Sequence, residues 1–325
     1  MLRITGRTRF ALLAVMAMQH SPVWAQAPYP SQPIRFIVPY SPGGLPDVVI
    51  RQVGIRLGDK LGQSVLVDNR TGAGGVSAAQ AVLSSPADGY VFLFSDAAMI
   101  SIAPLMMKNM PYDPQKDLLP VSYTARAPNY IAVHPSVPAT TMQEFIALAR
   151  SKPGTLSCGS SGIGSLHHLT LEWIKKSLAI DVVHVPFKGS GQSVPALLGG
   201  QVNCLLASLA PIAGAMSAGK VRVLAFAGAQ RTSLAPEIPA IGEAMKGFDS
   251  AFLLGVLGRN GLPMALANRL SGEIASIVKE PDVVANLKKI GVEAIGQGPR
   301  EYAEALRVDA EQMANAVKLA AITLE

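Results

Sequence analysis

Small polar turns recur after the apolar, strand-like runs of this sequence, and they hold the residues best suited to bind a ligand. They read SPGG at 41–44, TGAGG at 71–75, SDAA at 95–98, SSGIGS at 160–165 and KGSG at 188–191. Glycine lets a backbone turn tightly and approach a ligand without interference from a Cβ atom. Each turn precedes a predicted helix start, where unpaired N–H groups and the helix dipole favour an anion. One such turn alone is more typical of an ordinary connection, but their recurrence predicts a binding cleft.

The turns carry little positive charge. Lys188 is the main basic residue within one of them, and Arg70 adjoins another. A polyphosphate site would need more cations to pair with its oxygens. A carboxylate held by backbone N–H groups, hydroxyls and bridging water fits the composition better.

Motifs for catalysis or cofactor binding are incomplete. The run GAGGVS has Ser77 where a dinucleotide fingerprint has its third glycine, and PFKGSGQS lacks the order of a phosphate loop. In GSSGI, Ile163 replaces the last glycine of a nucleophile elbow. His167 and His168 are adjacent and should point in different directions. The spacing therefore predicts no catalytic residue, no metal site, no cofactor and no enzymatic activity.

The first residues predict an exported protein. Arg3, Arg7 and Arg9 precede an apolar run that is too short to span a bilayer, and a small-residue cleavage motif ends near Ala25. An ordinary buried helix is the alternative. This leader holds three arginines and no acidic residue, so its removal lowers the formal net charge from +6 to +3. With aromatic residues at 6%, the sequence gives no support for a nucleic-acid partner.

Two cysteines leave the thiol state open. Cys158 and Cys204 could pair in an exported chain, but both lie in predicted buried strands. Buried free thiols that pack as small hydrophobic groups are the favoured expectation. Neither cysteine has a partner at the spacing of a zinc site.

Short β-prone runs alternate with helical patterns, which is typical of α/β proteins with mainly parallel sheets. Strands are predicted at 34–40, 64–69, 90–95, 155–161, 182–187, 201–208 and 221–228. Helices are predicted at 47–61, 76–83, 166–178, up to 198, 263–280, 281–291 and 300–321.

Two long extended runs, at 118–134 and 248–261, interrupt this alternation. They predict crossovers between two similar α/β units, and hence a hinged two-lobe protein whose turns face one cleft. A single larger doubly wound domain is the alternative.

The order of the motifs resembles the tripartite tricarboxylate transporter receptors, also called the Bordetella uptake gene family. The resemblance rests on VPYSPGGLPD, VDNRTGAGG, ADGYVFLFS, MPYDPQKDLLPV, HVPFKGSGQSVPALLGGQV and GKVRVLAFAG. It implies a type II periplasmic binding protein fold with two crossover strands, a small carboxylate ligand and no enzymatic activity.

The resemblance also implies where the ligand binds. In the family, the first turn and the GAGG turn hold one carboxylate from two sides, through backbone groups and ordered waters. The implied ligand-binding residues are Ser41, Pro42, Gly43, Gly44, Asp47, Gly72, Ala73, Gly74, Gly75, Ser95, Ser160, Ser161, Gly162, His168, Lys188, Gly189 and Ser190. Asp47 could instead only favour the helix dipole, and His168 could be a structural histidine.

This sequence departs from the family pattern at three places. Leu45-Pro46 precedes the first-turn aspartate, where the family usually has a small or hydroxyl residue. Asn203 and Ser208 stand where a further acidic residue is common, and Thr71 replaces a proline. The departures leave the receptor function intact and weaken the case for an amino-acid ligand.

The function predicted is a periplasmic solute-binding receptor that delivers a small carboxylate to the membrane permease subunits of a tripartite transporter. A sensory protein that presents its ligand-bound form to a signalling partner is the alternative. The expected organisation is a monomer with a signal peptide at 1–25, one lobe from 26–125 and 252–325, and a second lobe from 126–251.

Overall fold

The computed structural model describes residues 29–107, 109–231, 235–243, 245 and 248–320. The predicted leader lies outside the described residues. Every element below belongs to the compact unit Gln32–Glu325. Within the described residues, no helix combines the length and apolarity needed to cross a membrane.

Strands and helices alternate through most of the chain. The strands are β1 Ile34–Val38, β2 Val65–Asn69, β3 Val91–Ser95, β4 Leu118–Pro128, β5 Tyr130–Val133, β6 Ser157–Ser160, β7 Val183–Pro186, β8 Cys204–Ala207, β9 Arg222–Phe226, β10 Ala251–Arg259 and β11 Glu293–Gln297. The longer helices are α1 Leu45–Leu61, α2 Val76–Leu83, α6 Met142–Ser151, α7 Leu166–Leu178, α8 Ser190–Leu198, α10 Met264–Val278, α11 Pro281–Lys289 and α12 Pro299–Ala320. Shorter helices are α3 Ala98–Ser101, α4 Ala103–Met106, α5 Pro114–Asp117 and α9 Ala213–Ser217, with 3₁₀ turns at Ala73–Gly75 and Ile241–Glu243.

The described strands form two separate sheets. One has the order β11-β4-β10-β3-β1-β2, and the other has the order β7-β6-β8-β5-β9. Pairs β1/β2, β1/β3, β6/β7 and β6/β8 are parallel, as expected for strands joined through helices. The predicted α/β class is confirmed, and the alternative of one doubly wound sheet is wrong.

The two long extended runs are strands, as predicted. β4 and β10 pair antiparallel along their whole length, from Leu118 against Arg259 to Pro128 against Ala251. Beyond Pro128 the chain enters the second sheet as β5, and Asn129 there accepts a hydrogen bond from the Ala227 N–H. The sheets are thus connected by a pair of neighbouring strands, which is the geometry of a hinge. The lobe boundaries at 125/126 and 251/252 stay predictions.

Each sheet has its own hydrophobic core. Around the first sheet, buried side chains include Ile37, Leu93, Met99, Leu257 and Tyr302. Around the second they include Tyr130, Leu197, Leu205, Ile212 and Phe226. Because each sheet buries its own apolar face, the two halves can move about the β4/β10 pair without exposing either core.

The local sequence of helix α1 accounts for its start, its buried face and its end. Its apolar positions Val49, Ile50, Val53 and Leu57 recur with helical spacing and are all buried. The helix begins at Leu45, two residues before the predicted start, because Pro46 fits the first helical turn. Gly62 ends it in the left-handed conformation, with φ 65°.

Strand β11 was not predicted. It is a short edge strand that pairs antiparallel with β4, at Glu293 against Arg126 and Ala294 against Ala125. Five residues of mixed polarity give no clear period, so only the long-range pairing with β4 defines this strand.

The expectation of two free thiols is wrong. Cys158 and Cys204 form a disulfide, and their Cα atoms lie 4.5 Å apart. The two residues are register partners on the neighbouring parallel strands β6 and β8, so their side chains share one face of the sheet. The strands were predicted correctly, but their adjacency in the sheet could not be derived from spacing.

Gly255 lies where the hinge strands pack most tightly. A Cβ atom there would clash with the Ser122 carbonyl oxygen on β4 and with the ring of Tyr302 on α12. We expect Gly255→Ala to lower the free energy of unfolding by about 1–3 kcal/mol, the usual cost of overpacking. Urea unfolding at neutral pH measures this change.

Gly272→Ala is the matched control, because its Cβ atom would meet nothing within 4 Å on the exposed side of α10. Replacing a helical glycine by alanine should raise stability by roughly 0.5–1 kcal/mol. Equal unfolding midpoints for the two variants would show that the hinge is not tightly packed.

Candidate functional site

The predicted polar turns converge at one cleft between the two sheets. Turns 39–44, 70–75 and 95–98 follow β1, β2 and β3, which are neighbours in the first sheet. Turns 161–165 and 187–189 follow β6 and β7, which are neighbours in the second. Carboxyl ends of adjacent parallel strands meet at one edge of a sheet, and this is where open α/β sheets bind ligands.

An outer cavity of about 310 Å³ lies between these turns. The first sheet contributes Pro39, Tyr40, Gly72, Gly74, Gly75 and Ala98 to its lining. The second sheet contributes Ser161, Gly162, Ile163, Gly164, Ser165, Pro186, Phe187 and Lys188. A larger open groove of about 650 Å³ lies along α1 and β2, away from the converging turns.

An inner cavity of about 10 Å³, the size of one water molecule, adjoins the outer one. It is lined by Tyr40, Gly44, Leu45, Pro46, Asp96, Ser161, His167, Ser190 and Phe252. Tyr40 and Ser161 line both spaces. We call the outer and inner cavities together the cleft.

The two sheets' turns touch each other across the cleft. The Ser41 N–H donates to the Lys188 carbonyl oxygen at 3.4 Å. A Cβ atom on Gly189 would lie 2.7 Å from Ser41 Oγ, and one on Gly191 would clash with the Pro42 carbonyl oxygen. The chain therefore stands in a closed arrangement that requires glycine on the second-sheet side.

Asp47 connects the first two turns by hydrogen bonds on the side away from the cleft. One carboxylate oxygen accepts from the Gly43 N–H at 2.9 Å, and the other accepts from Arg51 Nε and Asn69 Nδ2, each at 2.9 Å. Asn69 also donates to the Tyr40 carbonyl oxygen at 2.9 Å. Burial by itself raises the pKa of Asp47, but hydrogen bonds from Arg51, Gly43 and Asn69 outweigh it, and the pKa is lowered.

The turn at 72–75 depends on glycine for its shape. Gly75 has φ 95° and a Cβ atom there would lie 2.8 Å from Met99 Sδ, so both conformation and space exclude a side chain. Helix α2 begins at the next residue and turns the positive end of its dipole toward this loop.

Asp96 is a buried carboxyl group in the wall of the inner cavity. It is 1% exposed, and it accepts from Tyr40 Oη at 2.8 Å and from the Ala98 N–H at 2.9 Å. Burial raises the pKa of Asp96 to about 6, although both hydrogen bonds act in the opposite direction. Burial and the Asp96 charge raise the pKa of Tyr40 well above its usual value, so the phenol stays a donor.

His167 is a neutral imidazole in the wall of the inner cavity. Its Nδ1 lies 2.7 Å from Ser161 Oγ, its Nε2 is buried with no hydrogen-bond partner, and its ring packs edge-on against Phe252. Burial lowers the pKa of His167 to about 3. Ser41 Oγ, at the contact between the lobes, is likewise buried without a partner. Buried polar atoms without a protein partner are unusual, and these two lie at the cleft.

The structure brings many of the predicted site residues to the cleft. Those lining it are Gly44, Gly72, Gly74, Gly75, Ser161, Gly162, Lys188 and Ser190. Residues of the same turns that do not line it are Ser41, Pro42, Gly43 and Gly189, and Ala73 lies in the 3₁₀ turn beside it. Behind the lining lie Asp47, Ser95, Ser160 and His168. Ligand contact by any of these residues stays a prediction.

Several lining residues were missing from the predicted ligand-binding set, among them Tyr40, Asp96, His167 and Phe252. Asp96 lies beside Ser95 in the SDAA turn, which the resemblance assigns to the site, and Tyr40 directly precedes the first turn. The prediction named His168 instead of His167. The orientation of α7 relative to the first sheet decides which histidine faces the cleft, and sequence spacing does not give that orientation. Phe252 lies on the crossover strand, where no turn motif points to it.

The chain is similar to one family of transporter receptors over most of its length. The family model described as the tripartite tricarboxylate transporter family receptor matches residues 49–319. A UPF0065 protein of Bordetella bronchiseptica is 34% identical over 304 residues, covering 93% of this chain and 90% of the relative.

Solved structures share the two-sheet architecture. The R. palustris protein Rpa4515, solved with adipate, is 30% identical and has a TM-score of 0.89, covering 91% of this chain and all of that protein. The periplasmic binding protein BugD is 25% identical and has a TM-score of 0.87, with the same coverage. The predicted two-lobe periplasmic binding protein fold is confirmed.

Asp47→Asn should loosen the first two turns. The amide nitrogen must face one of three donors, so at least one charge-assisted hydrogen bond is lost, at a cost of about 1.5–3 kcal/mol. Because the pKa of Asp47 is lower in the folded chain than the unfolded value of 3.8, the charged carboxylate stabilises the fold above pH 3.8. This stabilisation is lost as pH falls through the folded pKa. Urea unfolding at pH 7 and pH 3 should show a deficit that narrows in acid. Asp59→Asn, on the exposed face of α1, is the control; an equal deficit there would contradict the assignment.

Asp96→Asn should have the opposite effect at neutral pH. The folded pKa of about 6 lies above the unfolded 3.8, so the charged form destabilises the fold as pH rises through this window. The variant should be more stable than the natural chain at pH 7, by on the order of 2 kcal/mol, and similar to it at pH 4. Thermal melts across this range measure the difference. A pH-independent difference would show that Asp96 does not titrate there.

Proposed function

The chain belongs to the tripartite tricarboxylate transporter receptor family, and from this we propose that it captures a small organic carboxylate in the cleft between its two lobes. Capture is by closure, without chemical change of the ligand. The proposed lobes are 26–125 with 252–325, and 126–251. The relative solved with adipate, 30% identical to this chain, supports a carboxylate ligand.

This proposal rests on the contact between the turns of the two sheets, which encloses a polar space lined by glycine residues. Ser41 meets Lys188 and Gly189 across the cleft, and both sides present turns that start helices. A ligand that contacts both sides favours the closed state, because only that state completes all of its contacts.

The charges in the cleft indicate where the carboxylate binds. Lys188 is the only lysine or arginine among the described lining residues, and it belongs to the outer cavity with Gly72 and Gly74. Asp96 belongs to the inner cavity, where its negative charge would repel a second anion. We therefore assign the ligand carboxylate to the outer cavity and a neutral or hydrogen-donating group to the Asp96 side.

The size of the cleft limits the ligand. About 310 Å³ is at the lower end of the range for small-molecule sites, and the inner cavity adds room for about one water molecule. A compact mono- or dicarboxylate with a short chain fits this space.

We further propose export to the periplasm, cleavage near Ala25, and delivery of the ligand by a monomer to membrane permease subunits. The matching family is described as a transporter receptor, which favours delivery over signalling. A pull-down with the ligand-loaded chain tests this step. Capture of permease subunits would support delivery, and capture of a signalling protein instead would support the sensory alternative.

Calorimetry of the mature chain tests the ligand class. Mono-, di- and tricarboxylates are compared with sugars and amines of similar size. Saturable binding of one carboxylate per chain would support the proposal. Binding of sugars or amines, with none of any carboxylate, would overturn it.

Gly191→Ala tests the closed contact. Its Cβ atom would clash with the Pro42 carbonyl oxygen and lie 2.8 Å from Ser41 Oγ, both on the opposite lobe, while alanine suits helix α8 itself. A clash of this kind destabilises the closed state by about 1–3 kcal/mol and should weaken carboxylate binding about tenfold. Because the clash is with the opposite lobe, thermal stability should not fall. Gly214→Ala, in α9 with nothing within 4 Å, is the control in the same lobe. Unchanged affinity in Gly191→Ala would show that this contact is not part of the bound state.

A further inference from the structure

A cluster outside the cleft gathers two imidazoles and a carboxylate. His168 and Glu172 lie on α7, and His184 lies on β7. One ligand atom from each residue lies within 4.8 Å of the others. None of the three residues is among the described residues that line the cleft.

The fold produces the cluster from residues that spacing could not connect. His168 and Glu172 are four positions apart, so they share one face of the helix. His184 is brought to that face because β7 pairs with β6, whose following turn leads into α7. The adjacent histidines diverge as predicted: His167 faces the cleft, and His168 stacks on His184 with ring centroids 4.2 Å apart.

Neighbouring groups occupy one nitrogen of each ring. The Gly162 N–H donates to Ser160 Oγ at 3.1 Å, and Ser160 Oγ donates to the Gly162 carbonyl oxygen at 3.4 Å. Ser160 Oγ also lies 2.6 Å from His184 Nε2, so Nδ1 is the ring nitrogen of His184 that this hydroxyl leaves for a ligand. The Gly164 N–H donates to His168 Nδ1 at 3.4 Å, which places the ring proton of neutral His168 on Nε2. An ion at Nε2 therefore requires this long hydrogen bond to break and the ring proton to move to Nδ1. A metal-bound histidine usually donates its other ring N–H to a neighbouring acceptor, and Ser160 Oγ is placed to accept from His184 Nε2.

Lys175 holds the carboxylate of this cluster. Its Nζ lies 2.8 Å from Glu172 Oε1, and both side chains are about one-fifth exposed. A metal ion would have to displace this ammonium and rotate the stacked rings so that their lone pairs converge. His168 is buried, whereas Glu172 and His184 are partly exposed.

We propose that His168, Glu172 and His184 bind one divalent transition-metal ion of the Zn²⁺ or Ni²⁺ type. Two imidazole nitrogens and one carboxylate oxygen suit these ions, whereas Mg²⁺ and Ca²⁺ prefer oxygen ligands throughout. Three protein ligands leave a further coordination position for water. The two rings leave their parallel stack when the ion binds.

The test uses the mature, tag-free chain freed of metal by a chelator. Zn²⁺ binding is measured by calorimetry, and Co²⁺ is used as a spectroscopic probe of tetrahedral coordination by nitrogen and oxygen. Saturable binding of one ion per chain with visible Co²⁺ bands would support the proposal. Absence of saturable binding of either ion would overturn it.

Two variants connect the ion to these residues. Glu172→Gln keeps the shape and an acceptor for Lys175, and should weaken Zn²⁺ binding by at least about tenfold. Lys175→Met removes the ammonium that competes for Glu172, so Zn²⁺ should bind more tightly to this variant. Unchanged affinity in both variants would overturn the assignment.

His134→Gln is the control for adventitious binding, because His134 lies on the same lobe with Ser136 as its partner and is not in the cluster. Its affinity for Zn²⁺ should equal that of the natural chain, and a loss comparable with that of Glu172→Gln would contradict the proposed site. Thermal melts without metal establish that each variant is folded.

Discussion

The cleft depends on a single buried carboxylate. Asp47 lies behind the first turn, where its two oxygens accept from Gly43, Arg51 and Asn69. Asn69 is the last residue of β2 and leads directly into the glycine turn at 72–75. One side chain thereby fixes two loops of the same lobe relative to each other. Since loops of this length have few packing contacts of their own, these hydrogen bonds determine the shape that the first lobe presents to a ligand.

The second constraint is the hinge. β4 and β10 pair along their whole length and connect two sheets that have separate cores. Closure of such a structure changes the contacts at the cleft and leaves both cores packed. The contacts across the cleft are small and polar, between Ser41 and the loop at 188–191. A bound ligand can therefore supply a large share of the free energy that holds the lobes together.

Much of this organisation is predictable from the sequence. Periodic segments gave the long helices except α6, which was not predicted, apolar runs gave the parallel strands, and the polar turns gave most of the cleft lining. Spacing could not give features that depend on how distant elements meet. The disulfide needs β6 beside β8, the edge strand β11 needs β4, and the turning of His167 to the cleft needs the phase of α7. Asp96 belongs to the same class, because its burial against Tyr40 follows from the packing of the first lobe.

The central claim is that a carboxylate ligand brings the first turn and the 188–191 loop together. Amide hydrogen exchange followed by mass spectrometry, with and without the bound carboxylate, tests it most directly. We expect protection to rise together in segments 39–44 and 187–192, while β1 and β8 in the two cores stay unchanged. Protection that rises in only one of these loops, or in neither at saturating ligand, would contradict it.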